Sequence, residues 1–291
     1  MITRTSKASS DTLEQTAEFI VENGAYMKEA FPQCSNKEEL VSELRNTTEH
    51  WNILHTDRPV ALFTLQLSGA DAVVDKVYSA SAISDELFVS NLRFDLKKAK
   101  VHSLTLRVPK EMAKALENSG FERRRLLVKF VGQVIETKLM PILPLVNPTE
   151  RDIPALAKLM HESYEKSAEE KLRGLFFAEE QLREIMTGRQ GVYVAEASLI
   201  SGTTINVVSA CFVTLSSPRE ALVAQLFTHP LYRARGLATT EVATAMNRLL
   251  KRGVQTLSVQ FGENNEIAGR LFTKLGFKQE RKLAEMVTII Q

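Results

Sequence analysis

Apolar residues in the second half of the chain switch between a period of two and a period of about 3.6 residues. Residues 222–227 form an apolar run that predicts a strand, and residues 239–252 have the spacing of a helix. Residues 254–261 alternate like a strand. Ala268, Leu271, Phe272 and Leu275 then share one helix face, with Asn264 or Asn265 as N-cap and Gly276 as the stop.

The same patterns run through the rest of the chain. They predict helices over residues 12–31, 37–44, 152–166 and 178–185. They predict strands over residues 51–55, 103–108, 191–197 and 207–215. Helices and strands that alternate in this way are typical of an α/β protein.

The segment 229–238, His-Pro-Leu-Tyr-Arg-Ala-Arg-Gly-Leu-Ala, joins the strand at 222–227 to the helix at 239–252. The first amides of a helix have no partner within the helix, and the helix dipole adds positive charge there. Gly236 allows the backbone to approach an anion closely, and Arg233 and Arg235 add full positive charges. The turn therefore predicts a phosphate site, although it is neither a Walker loop nor a Gly-x-Gly-x-x-Gly turn.

Two motifs carry a resemblance to a known family. Arg233-x-x-Gly236-x-Ala238 resembles the Arg/Gln-x-x-Gly-x-Gly/Ala turn of the GCN5-related N-acetyltransferases (GNAT). The segment from Asn265 to Phe277 resembles the Asn-x-x-Ala-x-x-Leu-Tyr-x-Lys-x-Gly-Phe pattern of the same family. The resemblance covers residues 141–291.

This resemblance implies that acetyl-CoA, as cosubstrate, lies between two parallel strands that splay apart. The strand backbone would pair with the pantetheine amides, the turn would hold the pyrophosphate, and the second motif would orient the cofactor. The implied cofactor-binding residues are Leu226, Phe227, Thr228, Arg233, Ala234, Arg235, Gly236, Leu237, Ala238, Thr239, Asn265 and Phe272.

The first half of the chain repeats the second at an offset of about 156 residues, which brings Gly120-Phe121 onto Gly276-Phe277. We therefore expect two tandem GNAT-like domains, residues 1–138 and 139–291, each an α/β (α+β) fold with a central mixed β-sheet flanked by helices. Where the phosphate turn belongs, residues 78–85 contain neither glycine nor arginine. The first copy is thus expected to be degenerate and structural.

The catalytic residues are less defined than the cofactor turn. The tyrosine of the family pattern is replaced by Phe272, and the strand carboxylate that many members use as a base is replaced by Gln225. Glu220 and Glu196 are the candidate catalytic carboxylates, and His229 is an alternative base. Three hypotheses stay open: an acetyl-CoA-dependent N-acetyltransferase, a catalytically weak acyl-CoA-binding module, and a transferase that uses another acyl donor.

Composition narrows the setting but not the acceptor. With 291 residues, 44% hydrophobic residues and a net charge of +2, the chain suits one or two globular domains and gives no case for nucleic-acid binding. Cys34 and Cys211 make neither a disulfide framework nor a metal site, and Cys211 is expected to be buried. With no signal peptide or membrane span in the sequence, we expect a cytoplasmic protein. The acceptor is expected to be a small-molecule or peptide amine near residues 164–177, and the oligomeric state stays open.

Overall fold

A computed structural model describes residues 2–22, 31, 34–46, 51–55, 59–68, 70–79, 85–164, 174–202 and 206–290. The chain forms two compact units. The first comprises Met1–Leu127 together with Lys282–Gln291, and the second comprises Val128–Arg281. The final residues of the chain thus belong to the first unit rather than to the second.

The first unit contains a mixed sheet. Its strands are β1 (Ile2–Arg4), β2 (Trp51–His55), β3 (Pro59–Ser68), β4 (Asp71–Ser79), β5 (Ser103–Pro109) and the second part of β13 (Lys278–Ile289). Its helices are α1 (Ser10–Glu22), α2 (Lys37–Asn46), α3 (Asp85–Lys98) and α4 (Ala113–Asn118). β4 and β5 pair in parallel over four residues, whereas β13 pairs with β5 in antiparallel register.

The second unit holds the predicted motifs. Its sheet has the order β6 (Glu122–Gln133), β12 (Thr256–Gly262), β11 (Glu220–Thr228), β10 (Val207–Ser217), β9 (Leu199–Gly202) and β7 (Leu145–Val146), with β8 (Val192–Tyr193) beside β10. Its helices are α5 (Ile153–Tyr164), α6 (Leu175–Met186), α7 (Leu237–Lys251) and α8 (Glu266–Lys274). β6 enters this unit only from Val128 onward.

Two hydrophobic cores cover the two faces of the second sheet. One core joins α7 and α8 to β10, β11 and β12, and the other joins α5 and α6 to β9, β10 and β11. β10 is buried at eight successive positions, because helices cover both of its faces. Cys211 lies on this strand and is fully buried, as its apolar neighbours predict.

Most predicted elements are confirmed, and one predicted strand needs correction. Residues 191–197 were expected to form one strand, but only Val192–Tyr193 is extended, and Ala195–Ala197 forms a 3-10 turn. The first helix ends at Glu22, and residues 23–30 lie outside the described residues. The division expected at 138/139 also differs from the compact units, because pairing of Leu283–Ile289 with β5 draws the last strand into the first unit.

Within the described residues, no helix has the length and hydrophobicity needed to span a membrane.

Candidate functional site

The parallel strands β11 and β12 pair only over their first halves. Glu220–Val223 lies in register with Thr256–Val259, and within the described chain the pairing does not continue farther along the two strands. The register between β10 and β11 slips at Ala224, which forms a β-bulge at the point where the pairing stops. A bulge bends its strand and increases the local twist. The second halves of β11 and β12 therefore present backbone groups along an opening between them.

The side chains at the end of β11 pack into the two cores. Phe227 is 3% exposed and packs against α5 and α6, whereas Leu226 packs toward the core on the opposite face. The strand therefore offers its backbone to the opening, which is the chemistry needed to pair with an extended amide-containing ligand.

The turn after β11 has the backbone of an anion site. Ala234 and Gly236 both have positive φ, +59° and +81°, and α7 begins at Leu237. Within the described chain, the backbone N–H groups of residues 234–239 donate no hydrogen bond. Six successive amides at the positive end of a 15-residue helix are thus available to an anion.

The two arginines of the turn have different roles. Arg233 donates from Nε to the Thr228 carbonyl at 3.3 Å and from Nη2 to the Ser163 carbonyl at 2.5 Å. It therefore fixes the turn to the end of β11 and to α5. The guanidinium of Arg235 lies 5.0 Å from the ring centroid of Tyr232, and its side chain is exposed. Arg235 is the better placed of the two to meet an anionic ligand.

Comparison with known proteins agrees with this geometry. Residues 153–277 match the model of the acetyltransferase (GNAT) family. Residues 153–277 thus form a GNAT acetyltransferase domain. A search of the curated proteins found no match to the chain.

Solved structures resemble the chain over its whole length. A GCN5-related N-acetyltransferase from Sphaerobacter thermophilus has a TM-score of 0.64 at 14% identity, covering 100% of this chain and 96% of that one. A tandem GNAT protein from the clavulanic acid biosynthesis pathway has a TM-score of 0.61 at 16% identity, with 100% and 98% coverage. An acetyltransferase, described as putative, from Pyrococcus horikoshii has a TM-score of 0.56 at 12% identity, with 100% and 89% coverage. At these identities the likeness establishes the fold.

The GNAT domain places both candidate carboxylates away from the turn. Glu196 was predicted on a strand, but it lies in the 3-10 turn and pairs with Arg252, just beyond the opposite end of α7. Fifteen helical residues span about 22 Å. Glu220 begins β11 at its paired end, eight residues before Thr228, which is about 26 Å along a strand. These distances are measured from the turn and not from the reacting groups, so the catalytic role expected of Glu220 and of Glu196 stays a prediction.

His229 has other partners beside the turn. Its Nδ1 accepts a hydrogen bond from the Leu231 amide at 3.2 Å, and its Nε2 lies 3.6 Å from a carboxylate oxygen of Glu162. The imidazole thus caps the 3-10 turn that precedes Arg233.

The second motif is built as an N-capped amphipathic helix. Asn265 accepts a hydrogen bond from the Ala268 amide at 3.1 Å, as a capping residue does. Phe272 is 2% exposed, stacks on Phe261 and meets Phe277 edge to face. The Phe272 ring is thus buried in this core, and the cofactor contact expected of it stays a prediction. The cofactor contact expected of Asn265 also stays a prediction.

Sequence reasoning missed a neutral polar cluster on the open half of β11. The hydroxyl of Tyr164 donates to Oε1 of Gln225 at 2.9 Å, and Nε2 of Gln225 donates to Oε1 of Gln181 at 3.3 Å. The cluster joins α5, β11 and α6 at the position where many family members carry a carboxylate. The sequence signalled Gln225 but not its two partners, which are distant in the chain.

It also missed Glu241, a fully buried carboxyl on α7. Glu241 lies four residues after Leu237 and eight before Leu249, both of which are buried apolar residues. The periodicity of residues 239–252 already placed this glutamate on the apolar face of the predicted helix, and that position could have indicated a buried carboxyl.

Proposed function

We propose that the second unit binds acetyl-CoA and transfers its acetyl group to a primary amine in a ternary complex. The observation that carries the proposal is the row of six available amides at residues 234–239, next to the opening between β11 and β12. Helix N-termini with free amides favour phosphate groups. The opening has the backbone chemistry for the pantetheine arm.

In this reaction the neutral amine nitrogen attacks the thioester carbonyl carbon, the carbon–sulfur bond breaks, and the thiolate of coenzyme A leaves. The attacking nitrogen loses its proton to solvent through water, since the cluster of Gln225, Tyr164 and Gln181 offers hydrogen bonds but no carboxylate. A thiolate is a tolerable leaving group near neutral pH because thiols have pKa values of about 8.5. The absence of a tyrosine at Phe272 then lowers the rate without abolishing transfer.

The domain roles follow from the same reasoning. We assign cofactor binding to the domain predicted over residues 139–291 and a structural role to that over residues 1–138. The counterpart turn at residues 80–84 lies outside the described residues, so its assignment rests on its lack of glycine and arginine.

Calorimetric titration with acetyl-CoA tests the binding step. Arg233→Glu and Gly236→Glu are expected to abolish binding, because each disrupts the turn and adds a negative charge beside the pyrophosphate. A matched Ser81→Glu substitution in the first copy is expected to leave binding unchanged. Equal losses in all three variants would contradict the asymmetry between the two halves, and no binding by the unchanged protein would refute the proposal.

A second function, acyl-CoA binding with little turnover, is favoured by one observation: Gln225 and Phe272 replace the two proton-transfer groups common in the family. Free-thiol release from acetyl-CoA in the presence of a broad amine panel separates the two functions. Saturable binding without thiol release on any amine supports the binding module. If another acyl-CoA, such as succinyl-CoA, releases thiol faster than acetyl-CoA, the proposed acyl donor is wrong but the proposed transfer reaction is kept.

A further inference from the structure

Glu241 is an ionisable residue in a fully buried location. It has no exposed surface, and its carboxyl oxygens lie 2.5 Å from the Ser201 hydroxyl and 2.9 Å from the Ser209 hydroxyl. Both serines are also buried, at 1% and 0% exposure. The carboxyl is therefore enclosed between α7 and strands β9 and β10, and its hydrogen bonds come from neutral groups.

The surroundings of Glu241 contain no compensating positive charge within the described chain. Burial raises its pKa to about 8, and the hydrogen bonds of Ser201 and Ser209 only partly oppose that rise. Among the described residues, the titratable group that interacts with Glu241 is the Cys211 thiol on β10, whose own pKa is raised well above its usual value by burial and then by Glu241. The carboxyl is thus mainly neutral at pH 7.

Hydrogen bonds connect this carboxyl to the cofactor turn. The Ser209 hydroxyl lies 2.8 Å from the Thr228 hydroxyl and 3.2 Å from the Phe227 carbonyl, at the end of β11. The Thr228 carbonyl in turn accepts from Arg233, the residue that fixes the turn. Glu241 itself lies about one helical turn beyond Leu237, directly behind the available amides.

We propose that Glu241 is a positioning residue of the coenzyme site whose protonated form permits binding and whose carboxylate form opposes it. This inference rests on the proposed function, since it concerns the same acyl-CoA site. A carboxylate in this position and the bound diphosphate are like charges at one helix N-terminus. The partial positive charge of that terminus would be shared between them.

The proton count of Ser209 supports the same conclusion. A serine hydroxyl donates one proton, yet Ser209 has three oxygens within reach, those of Glu241, Thr228 and Phe227. When Glu241 is protonated it donates its own proton, and Ser209 is free to donate to the β11 backbone or to Thr228. When Glu241 ionises, Ser209 turns its proton to the carboxylate, and the strand end loses that hydrogen bond.

Acetyl-CoA titrations between pH 7 and pH 9 test the inference. A thioester ligand has no titrating thiol, and its phosphate groups, with a second pKa of about 6, stay ionised over this range. If only the protonated form binds well, the dissociation constant of the unchanged protein rises about tenfold from pH 7 to pH 9. Like charges about 10 Å apart at an effective dielectric constant of about 20 oppose each other by a similar factor.

Glu241→Gln keeps the shape and the neutral charge at every pH, so we expect its dissociation constant for acetyl-CoA to stay constant from pH 7 to pH 9. Glu184→Gln is the matched control, because it removes another buried carboxyl of the same unit that takes no part in this network. The control is expected to lose affinity at high pH as the unchanged protein does. A parallel loss in Glu241→Gln would overturn the inference.

Proton uptake gives a second measurement that needs no variant. Calorimetry at pH 8 in two buffers of different ionisation enthalpy should show about half a proton taken up per acetyl-CoA bound. Binding with no proton uptake, and with constant affinity from pH 7 to pH 9, overturns the role of Glu241 while leaving the coenzyme site intact. A protein that binds no acetyl-CoA at any pH refutes the proposed function instead.

Discussion

The buried carboxyl of Glu241 makes the stability of the protein depend on pH in an unusual direction. Its pKa in the folded chain is about 8, against an ordinary value of 4.5. Below pH 4.5 both the folded and the unfolded states hold the proton. Between pH 4.5 and pH 8 only the folded state holds it, so the free energy of unfolding falls as the pH rises, and above pH 8 the loss is complete.

Glu241→Gln removes this dependence. One pKa unit corresponds to about 1.4 kcal/mol, so the full interval amounts to about 3–5 kcal/mol. An amide donates to one serine and accepts from the other, as the protonated carboxyl does, so the variant and the unchanged protein should be within about 1 kcal/mol of each other at pH 4.5. At pH 8 and above the variant should be more stable by about 3–5 kcal/mol.

Urea unfolding followed by far-ultraviolet circular dichroism at half-unit steps from pH 4.5 to pH 9 measures the difference. The decisive quantity is how the difference between the two proteins changes with pH, because a constant offset reports only altered packing. Glu184→Gln again serves as control and should not change the slope. A difference that stays constant, or that shrinks as the pH rises, would refute a neutral buried carboxyl.

Three further substitutions, the first with a matched control, probe the rest of the structure. Gly236→Ala should lower the free energy of unfolding by about 1–2 kcal/mol and weaken acetyl-CoA binding, because φ is +81° and the new Cβ would lie 3.0 Å from Ile142. Gly253→Ala is the control, with φ +80° and no atom within 4 Å of the new Cβ. It should lower the free energy of unfolding in urea by a similar amount but leave binding normal. Glu285→Ala should cost about 2–3 kcal/mol in the same assay, because it leaves the guanidinium groups around that buried carboxylate unpaired, and an effect below 0.5 kcal/mol would contradict this. Gln225→Glu places a carboxylate at the open half of β11 and should raise the rate of free-thiol release with amines at least tenfold. An unchanged rate would contradict this prediction.

The local features of the site were predictable because they depend on neighbours in the chain. The strand, the glycine turn and the helix N-terminus follow from residues 222–252, and the N-cap at Asn265 follows from the segment after β12. Each is set by backbone conformation or by hydrophobic period within one or two turns of structure.

The strand composition of the first unit was not predictable in the same way. Periodicity shows that the last residues of the chain are extended, but it does not say which strand they pair with. Antiparallel pairing of β13 with β5 joins residues about 180 positions apart, for example Glu285 with Arg107. Arg107 and Arg125 both contact that carboxylate; although burial alone would raise the pKa of Glu285, these arginines bring it below its usual value.

The error at residues 191–197 has a local cause. Val192, Tyr193 and Val194 are β-branched or aromatic, as is usual in a strand. However, Asn147 donates from its amide to the carbonyls of Ala195 and Ser198, and Arg248 donates to the carbonyl of Glu196. These contacts come from other parts of the chain and satisfy the backbone of a 3-10 turn. The placement of Glu196 therefore depended on tertiary partners that the sequence pattern does not contain.

The different contacts of the two turn arginines explain why one buried carboxyl can affect anion binding at the proposed site. The guanidinium of Arg233 donates hydrogen bonds to the Thr228 and Ser163 carbonyls, so Arg233 shapes the turn more than it neutralises a ligand. In the proposed site, the anion would then be held by backbone amides, which carry partial charges, and by the exposed Arg235. The partial positive charge of the helix N-terminus is comparable in size with the negative charge of a single carboxylate behind it. A site of this construction responds to the protonation of Glu241, whereas one built from several free arginines would be little affected by it.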